Sequence, residues 1–312
     1  MFNDPARLKR WKIGCGVTAL IVLILLIPVF FTVYGLVKLA WTVPGEFRPI
    51  ESTPIDALGF GTIDVSFFNN EGDRVPGWYN PGTNGGAVLI LHGLGGNRAQ
   101  LVGVARFLLD EGFGVMLIDQ RGHGEHPANF TTMGRAESFD ALAAVEWLRG
   151  RDEIDPDRIG LYGGSMGAAT AIYTAALDHR LACVVADSSY ADFDQQARHD
   201  LTMPQAPVKI PESLQSLVVW IFNQVSKLMI GKWAVYPDPV DVIVDIECPA
   251  FLIHGEYDDR IDRDQFDLLK TEAENAGLDL TTWLVDGGGH CNYRGTDEFK
   301  RRIRNFFYLY LN

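Results

Sequence analysis

The apolar and polar positions of this chain alternate between two patterns from residue 62 onward, one typical of strands and one of helices. The later strand-like runs are almost continuously apolar, as expected for parallel strands covered on both faces. The first two runs predict a β-hairpin, and six more strands follow. The predicted strands are Thr62–Phe68, Arg74–Tyr79, Ala87–Leu91, Val115–Asp119, Ile159–Tyr162, Ala182–Asp187, Ala250–His254 and Thr281–Val285.

Helical stretches separate these strands. An alternation of β and α elements predicts an α/β protein with a doubly wound, mostly parallel sheet. In such a sheet, reactive groups gather at the carboxyl ends of the strands. The predicted helices are Arg98–Asp110, Ser138–Arg149, Met166–Ala176, Asp264–Ala276 and Asp297–Tyr310.

More than sixty residues between Asp187 and Ala250 contain no clear strand. A connection of that length is usually functional, and we predict a helical lid insertion at about residues 190–245. Residues 213–230 carry an apolar stripe at helical spacing. Three interpretations remain open: the helix is an ordinary cap packed on the core, its stripe lines an acyl pocket, or its flanks, including Trp220, touch a bilayer. The stripe consists of Leu214, Leu217, Val218, Ile221, Val225, Leu228 and Met229.

The N-terminal region has a different pattern, because residues 13–37 contain no charged residue. As a helix these residues would span about 37 Å, enough to cross a hydrocarbon core of about 30 Å with tilt. A cleaved signal peptide would have a shorter apolar region of about 7–15 residues. We therefore predict a cytoplasmic segment 1–12, a transmembrane anchor 13–37, a tether 38–60 and a globular domain 61–312.

Charge gives the expected orientation and excludes one class of partner. Four basic residues lie immediately before the apolar run, so the positive-inside rule predicts a single-pass protein with a cytoplasmic N-terminus and an extracytoplasmic body. The net charge of −13 would repel phosphate backbones, so we expect no nucleic-acid partner. The four cysteines match no zinc pattern and no metal-ligand histidine spacing is present, so we expect no metal and no cofactor.

Ser165 stands in the strongest chemical motif of the chain. Residues 162–169 read YGGSMGAA, so an apolar strand ends just before the serine and a helix of small residues begins just after it. This is the G-x-S-x-G pattern in a strand–turn–helix context, which is typical of a nucleophilic serine on a tight turn. The alternative is a glycine turn with an inert serine.

A second glycine-rich loop follows the strand Ala87–Leu91. Residues 91–97 read LHGLGGN, and they predict an oxyanion hole formed by the backbone N–H groups of Leu94 and Met166. A phosphate-binding loop is disfavoured because the lysine and the spacing of such loops are missing. We expect His92 to support this loop rather than to act as a base.

A carboxylate and a histidine follow the last two predicted strands. The strand Ala250–His254 leads into Asp258, Asp259 and Asp262, and any of these three acids could orient a histidine. His290 follows a glycine-rich loop after the final strand. The order Ser, Asp, His along the chain is that of a hydrolase catalytic triad.

These motifs make the chain resemble the α/β-hydrolase superfamily from about residue 60 to the C-terminus. Residues 119–124, DQRGHG, resemble its D-x-R-G-x-G turn, and residues 254–258, HGEYD, resemble its H-G-x-x-D block. The resemblance assigns the acid to Asp258. Within the superfamily the chain looks similar to membrane-associated serine esterases and to the serine-aminopeptidase-like group.

The predicted function is hydrolysis by a catalytic triad of Ser165, Asp258 and His290. We expect a carboxylic ester or thioester with a small or lipid-like acyl group to be cleaved through an acyl-enzyme intermediate. A serine at the turn argues against the superfamily members that use an aspartate there. Two alternatives remain, namely a serine peptidase of the aminopeptidase-like type and a catalytically silent binding protein on the same scaffold.

Overall fold

The computed structural model describes residues 31, 33–35, 37–38, 41–42, 49–203 and 210–312. The predicted cytoplasmic segment 1–12 and most of the predicted anchor 13–37 lie outside the described residues. Within the part that is described, no helix combines the length and apolar character needed to cross a membrane.

The described residues contain one eight-stranded sheet, in the order β1-β2-β4-β3-β5-β6-β7-β8. Strand β2 pairs antiparallel with both β1 and β4, and every other pairing is parallel. The predicted mostly parallel sheet is therefore confirmed. The strands are β1 Ile63–Phe68, β2 Arg74–Asn80, β3 Ala87–Leu91, β4 Gly114–Ile118, β5 Ile159–Gly164, β6 Cys183–Asp187, β7 Ala250–Gly255 and β8 Leu280–Val285.

Helices cover both faces of the sheet and bury its apolar strands. From residue 49 onward, the α-helices of the described residues are α1 Pro54–Leu58, α2 Val102–Asp110, α3 Glu137–Arg149, α4 Met166–Leu177, α5 Phe193–Thr202, α6 Glu212–Ile230, α7 Pro239–Val242, α8 Arg263–Asn275 and α9 Asp297–Leu311. Helices α2 and α9 share one apolar core with the sheet, and α3, α4 and α8 share a second core on the other face. This two-sided covering explains why β3 to β7 are buried at every position.

The predicted tether ends earlier than residue 60. Helix α1 begins after Thr53, whose hydroxyl accepts a hydrogen bond from the backbone N–H of Asp56 at 3.2 Å. Ala57 and Leu58 are buried in the core beside α2. The Arg106 side chain donates to the backbone oxygen of Ala57 at 2.5 Å. The predicted tether 38–60 therefore already packs against the body at α1, and Trp41 within it is buried as well.

The described part of the long connection between β6 and β7 is mainly helical, with α5, α6, α7 and two short 3-10 turns. Helix α6 is oriented differently from the sequence prediction. Val219, Val225, Ser226 and Ile230 are buried, whereas Leu214, Leu217 and Leu228 of the predicted stripe are exposed. The predicted stripe was wrong because apolar residues occur around most of this helix, so their spacing did not identify the packed side.

Candidate active site

The turn at Ser165 has the geometry that its sequence predicts. Ser165 lies between β5 and α4 with φ of 57° and ψ of −124°, a region that residues other than glycine rarely occupy. A Cβ atom on Gly163 would overlap the backbone oxygen of Gly167, and one on Gly167 would overlap that of Leu91. The two glycines therefore let the strand, the helix and the neighbouring strand approach closely enough to hold the serine at the sheet edge.

The structure brings Ser165, His290 and Asp258 together at the carboxyl ends of the strands. The Ser165 Oγ atom lies 3.0 Å from His290 Nε2, and His290 Nδ1 lies 2.7 Å from Asp258 Oδ2. The other two candidate acids are not placed in this way, because Asp262 pairs with His199 at 2.7 Å and the side chain of Asp259 is exposed. Asp258 is thus the candidate whose carboxylate contacts the histidine.

The Asp258 carboxylate is held in its ionised form. Burial acts to raise its pKa, but the hydrogen bond from His290 and those from the backbone N–H groups of Ile261 and Arg260 outweigh burial, so the pKa lies below its ordinary value. Burial also lowers the pKa of the neighbouring His254, which keeps that ring neutral. One charged acid beside His290 is the arrangement that stabilises an imidazolium.

The loop after β3 places Leu94 in the lining of the cavity that Ser165 also lines. The flanking N–H groups are occupied, since Gly93 donates to Gln100 Oε1 at 2.7 Å and Gly95 donates to His123 Nε2 at 3.1 Å. Among the described residues, neither the Leu94 N–H nor the Met166 N–H has a hydrogen-bond acceptor. Two unused donors beside a serine are suited to bind a developing oxyanion.

His92 occupies the supporting position that we expected for it. It is buried, its Nδ1 lies 2.8 Å from the Gly93 backbone oxygen, and its Nε2 lies 3.1 Å from the Gln120 N–H. Burial lowers the pKa of His92 to about 4, so the ring is neutral at physiological pH. A neutral imidazole that donates with one nitrogen and accepts with the other fixes the glycine loop to the end of β4.

Asp187, at the end of β6, contributes to the site and was not predicted from the sequence. Its backbone oxygen accepts the N–H of Ser165 at 2.8 Å. Its carboxylate accepts from the Tyr162 and Tyr293 hydroxyls at 2.6 Å each and from Arg294 Nε at 2.7 Å. Asp187 therefore links the serine turn to the segment that follows His290. Its position as an acidic residue at the end of an apolar strand could have identified Asp187 from the sequence. Nothing in the sequence indicated that Arg294 would contact it.

A cavity of about 530 Å³ opens over Ser165 and His290. This volume lies within the usual range of small-molecule sites, roughly 300–1,000 Å³. Of the described residues of the insertion between β6 and β7, Tyr190 and residues of α5 and its C-terminal end line the cavity, and none of α6 does. The lining includes Leu94, Met133, Met166, Tyr190, Gln196, Asp200, Met203, Arg260, Ile261 and Arg294. Among the described residues, the lining therefore gives no support to the interpretation that the α6 stripe forms an acyl pocket.

The cysteine beside His290 and two other histidines of the chain have structural contacts. Cys291 lies beside His290 with Sγ 3.8 Å from the backbone oxygen of Asp187, and burial raises its pKa, so the thiol stays protonated. His123 is buried and holds the glycine loop through Gly95. His199 contacts Asp262 and lies outside the cavity lining.

Comparison with known proteins agrees with this fold. The model of the α/β hydrolase fold family matches residues 86–232. An uncharacterized protein of Mycobacterium tuberculosis is 42% identical over 112 residues, which are 35% of this chain and 39% of that protein. The chain thus matches about two fifths of the length of this curated relative.

Two solved structures extend the comparison. An esterase of Pyrococcus furiosus, Pf2001, aligns with a TM-score of 0.70 and 25% identity over 87% of this chain and 99% of that chain. A puromycin-hydrolyzing peptidase of Mycobacterium tuberculosis aligns with a TM-score of 0.62 over 84% of this chain and 42% of that chain; at 16% identity, it shows the fold alone. The family match and the alignment with Pf2001 show that the chain has the α/β-hydrolase fold.

Proposed function

We propose that the protein is a serine hydrolase that cleaves a carboxylic ester or thioester. The observation that carries this proposal is His290, whose Nε2 lies 3.0 Å from Ser165 Oγ while its Nδ1 lies 2.7 Å from Asp258. The esterase Pf2001, which aligns over most of both chains, supports the ester rather than another acyl substrate.

The reaction follows from the positions of these groups. His290 removes the proton of Ser165 as Oγ attacks the substrate carbonyl, and Asp258 stabilises the imidazolium that forms. The N–H groups of Leu94 and Met166 bind the oxyanion. His290 then protonates the leaving group, and a water molecule activated by the same ring cleaves the acyl-enzyme.

Labelling with a fluorophosphonate distinguishes an enzyme from a silent scaffold. We expect the wild-type protein to form a covalent adduct and Ser165→Ala to form none, because the nucleophile is lost. Ser66→Ala, which removes an exposed serine from β1, is the matched control and should label like the wild type. Ester turnover by Ser165→Ala at the wild-type rate would refute the mechanism. A residual rate roughly 10³–10⁴-fold above that of the uncatalysed reaction in water is compatible with it.

A serine peptidase is the second candidate, and Asp200 favours it. This carboxylate lies in the cavity lining, where it could receive the amine of a peptide N-terminus. Rates on acyl esters of increasing chain length, measured beside rates on aminoacyl arylamides, distinguish the two. A peptidase should prefer the arylamides and lose that preference in Asp200→Asn; an esterase should retain its preference for esters in this variant.

We further propose that residues 13–37 anchor the protein in a membrane with the body on the extracytoplasmic side, and that the insertion between β6 and β7 acts as a lid. The uncharged run and the basic residues before it support the anchor. Gln196, Asp200 and Met203, all in the cavity lining, support the lid. A lipid-like acyl substrate is consistent with both features.

A further inference from the structure

We propose that the outer face of α6 lies in the surface of the lipid bilayer, next to the point where the N-terminal anchor leaves the membrane. This inference rests on the anchor in the proposed function and adds an interaction surface to it. It also places the proposed lid beside the bilayer, in which a lipid-like ester would be dissolved.

The outer face of α6 is apolar and exposed. At 100° per residue its exposed apolar side chains fall within a sector of about 120°. The other residues on this side of the helix lie between Ser213 and Gln224 along the chain, and none of them is charged. The exposed fractions are 48% for Leu214, 52% for Leu217, 59% for Trp220 and 72% for Leu228. Large exposed apolar surfaces of this kind mark contacts with a protein or a membrane.

The opposite face of α6 holds the end of the apolar N-terminal run. Val37 and Trp41 are buried in one cluster with Val225 and Ile230 of α6. The Trp41 Nε1 atom donates to Ser226 Oγ at 2.8 Å, and the Trp41 ring lies 5.7 Å from that of Phe222 and 5.4 Å from that of Phe193. The residues at which the chain emerges from the proposed anchor are therefore fixed to α6.

This attachment determines the distance between α6 and the bilayer. Val33 packs against the same cluster, although it lies four residues inside the uncharged run 13–37, about 6 Å along a helix. If the run crosses the bilayer, α6 must reach its surface in order to contact Val33. An amphipathic helix in that position buries its apolar face about 5–10 Å into the boundary between headgroups and acyl chains.

Charge favours zwitterionic lipid as the occupant of this face. The chain has a net charge of −13, so strong attraction to anionic lipid is not expected. Helix α6 is also connected to the cavity, because Asn223 Nδ2 donates to Asp194 Oδ1 of α5 at 2.7 Å, and α5 supplies Gln196 to the cavity lining. Contact of α6 with lipid would thus hold one wall of the cavity near the membrane surface.

Quenching of Trp220 fluorescence tests the proposed contact. The full-length protein is reconstituted into phosphatidylcholine vesicles, with or without acyl chains brominated close to the headgroup. We expect brominated lipid to quench part of the emission, and Trp220→Phe to remove a quenched component. Trp283→Phe, on β8, is the control and should remove only unquenched emission. An identical quenched component in the wild type and Trp220→Phe would overturn the proposal.

A second measurement uses the three exposed leucines. Replacing Leu214, Leu217 and Leu228 by serine should lower the rate on an ester dissolved in vesicles by about tenfold, because each buried methylene contributes to membrane contact. The rate on a short water-soluble ester should not change. Loss of self-association in this variant, without any quenching of Trp220 in the wild type, would assign the face to a second copy of the chain and overturn the proposal.

Failure of the proposed function can be distinguished from failure of the α6 inference. Quenching requires no turnover, so it can succeed in a protein that hydrolyses no ester. If the full-length protein does not float with vesicles after an alkaline carbonate wash, the anchor is refuted, and the α6 inference falls with it. Flotation without quenching of Trp220 refutes the α6 inference alone.

Discussion

The Asp258 carboxylate is buried and is nevertheless kept ionised by its hydrogen bonds. The carboxylate is buried, yet it accepts hydrogen bonds from His290 and from two backbone N–H groups of its own loop. These bonds favour the ionised form over the protonated one, and the pKa falls below the ordinary value although burial opposes the change. The loop therefore supplies a fixed negative charge at the point where His290 becomes positive.

Asp258→Asn should affect both turnover and stability in acid. We expect kcat to fall roughly 10⁴-fold, because an amide no longer selects the required tautomer of His290. An acid whose pKa is lowered by folding stabilises the folded state above its unfolded pKa, and this contribution is lost as the pH falls through the folded pKa. The difference in Tm between wild type and variant should therefore narrow from pH 7 to pH 3. A constant difference would contradict the lowered pKa.

Asp187 provides the second prediction at this scale. Its carboxylate pairs with Arg294 at 2.7 Å, and the Asp187 side chain is fully buried. Asp187→Asn should lower the free energy of unfolding by about 3–5 kcal/mol, because the Arg294 guanidinium would lose its negatively charged partner. The control, Asp267→Asn, breaks an exposed ion pair with Arg263 and should cost no more than about 1 kcal/mol. Urea unfolding measures both, and equal effects would contradict the role of Asp187.

At the scale of elements, the site depends on how closely β5, α4 and β3 approach one another. Gly167 lies at the first turn of α4, where a Cβ atom would overlap the backbone oxygens of Leu91 and His92 at the end of β3. Backbone atoms cannot rotate away as a side chain can. The spacing of these three elements thus fixes both the serine turn and the glycine loop that carries Leu94.

Gly167→Ala should therefore prevent normal folding or strongly destabilise the protein, even though alanine is the better helix former. Gly103→Ala is the matched control, because a Cβ atom at that position of α2 meets nothing within 4 Å. This control should stabilise the protein by up to about 1 kcal/mol. Circular dichroism and thermal unfolding of the two variants test the prediction, and similar Tm values for both would show that α4 can move away from β3.

For the whole molecule, the distribution of apolar and basic residues at the N-terminus determines the expected topology. The uncharged run 13–37 precedes a domain that has its own two apolar cores around the sheet. Such a domain can fold outside the bilayer if, as proposed, the part of the run before Val33 lies inside it. Little free tether is available for this arrangement, since Val37 and Trp41 already pack with α6 and Leu58 packs in the core beside α2.

Protease added to right-side-out spheroplasts should degrade the body without lysis, because the positive-inside rule places it outside the cytoplasm. Immunoblotting with an antibody against α9 reads out the result, and a cytoplasmic marker protein is the control for leakage. Protection of the body until the membrane is broken would overturn the orientation. Recovery of a soluble form that begins near Ala40 would overturn the uncleaved anchor.

The sequence by itself determined the sheet and the serine turn. Apolar runs that alternate with helical stretches predicted all eight strands within one or two residues at each end, because burial on both faces imposes a continuous apolar pattern. The position of Ser165 was also predictable, since the turn requires small residues at fixed short distances along the chain. Both are consequences of local backbone geometry.

Tertiary structure decided which distant groups meet. The residues after β7 left Asp258, Asp259 and Asp262 all open, and only the family resemblance favoured Asp258. The packing of the β7 and β8 loops brings the Asp258 carboxylate to His290. Asp187 and Arg294 are 107 residues apart, and no spacing rule connects them. The orientation of α6 was likewise undetermined, because a helix that is apolar around most of its circumference can pack on several sides. The contact with Trp41 selects one side and leaves Leu217 and Leu228 exposed.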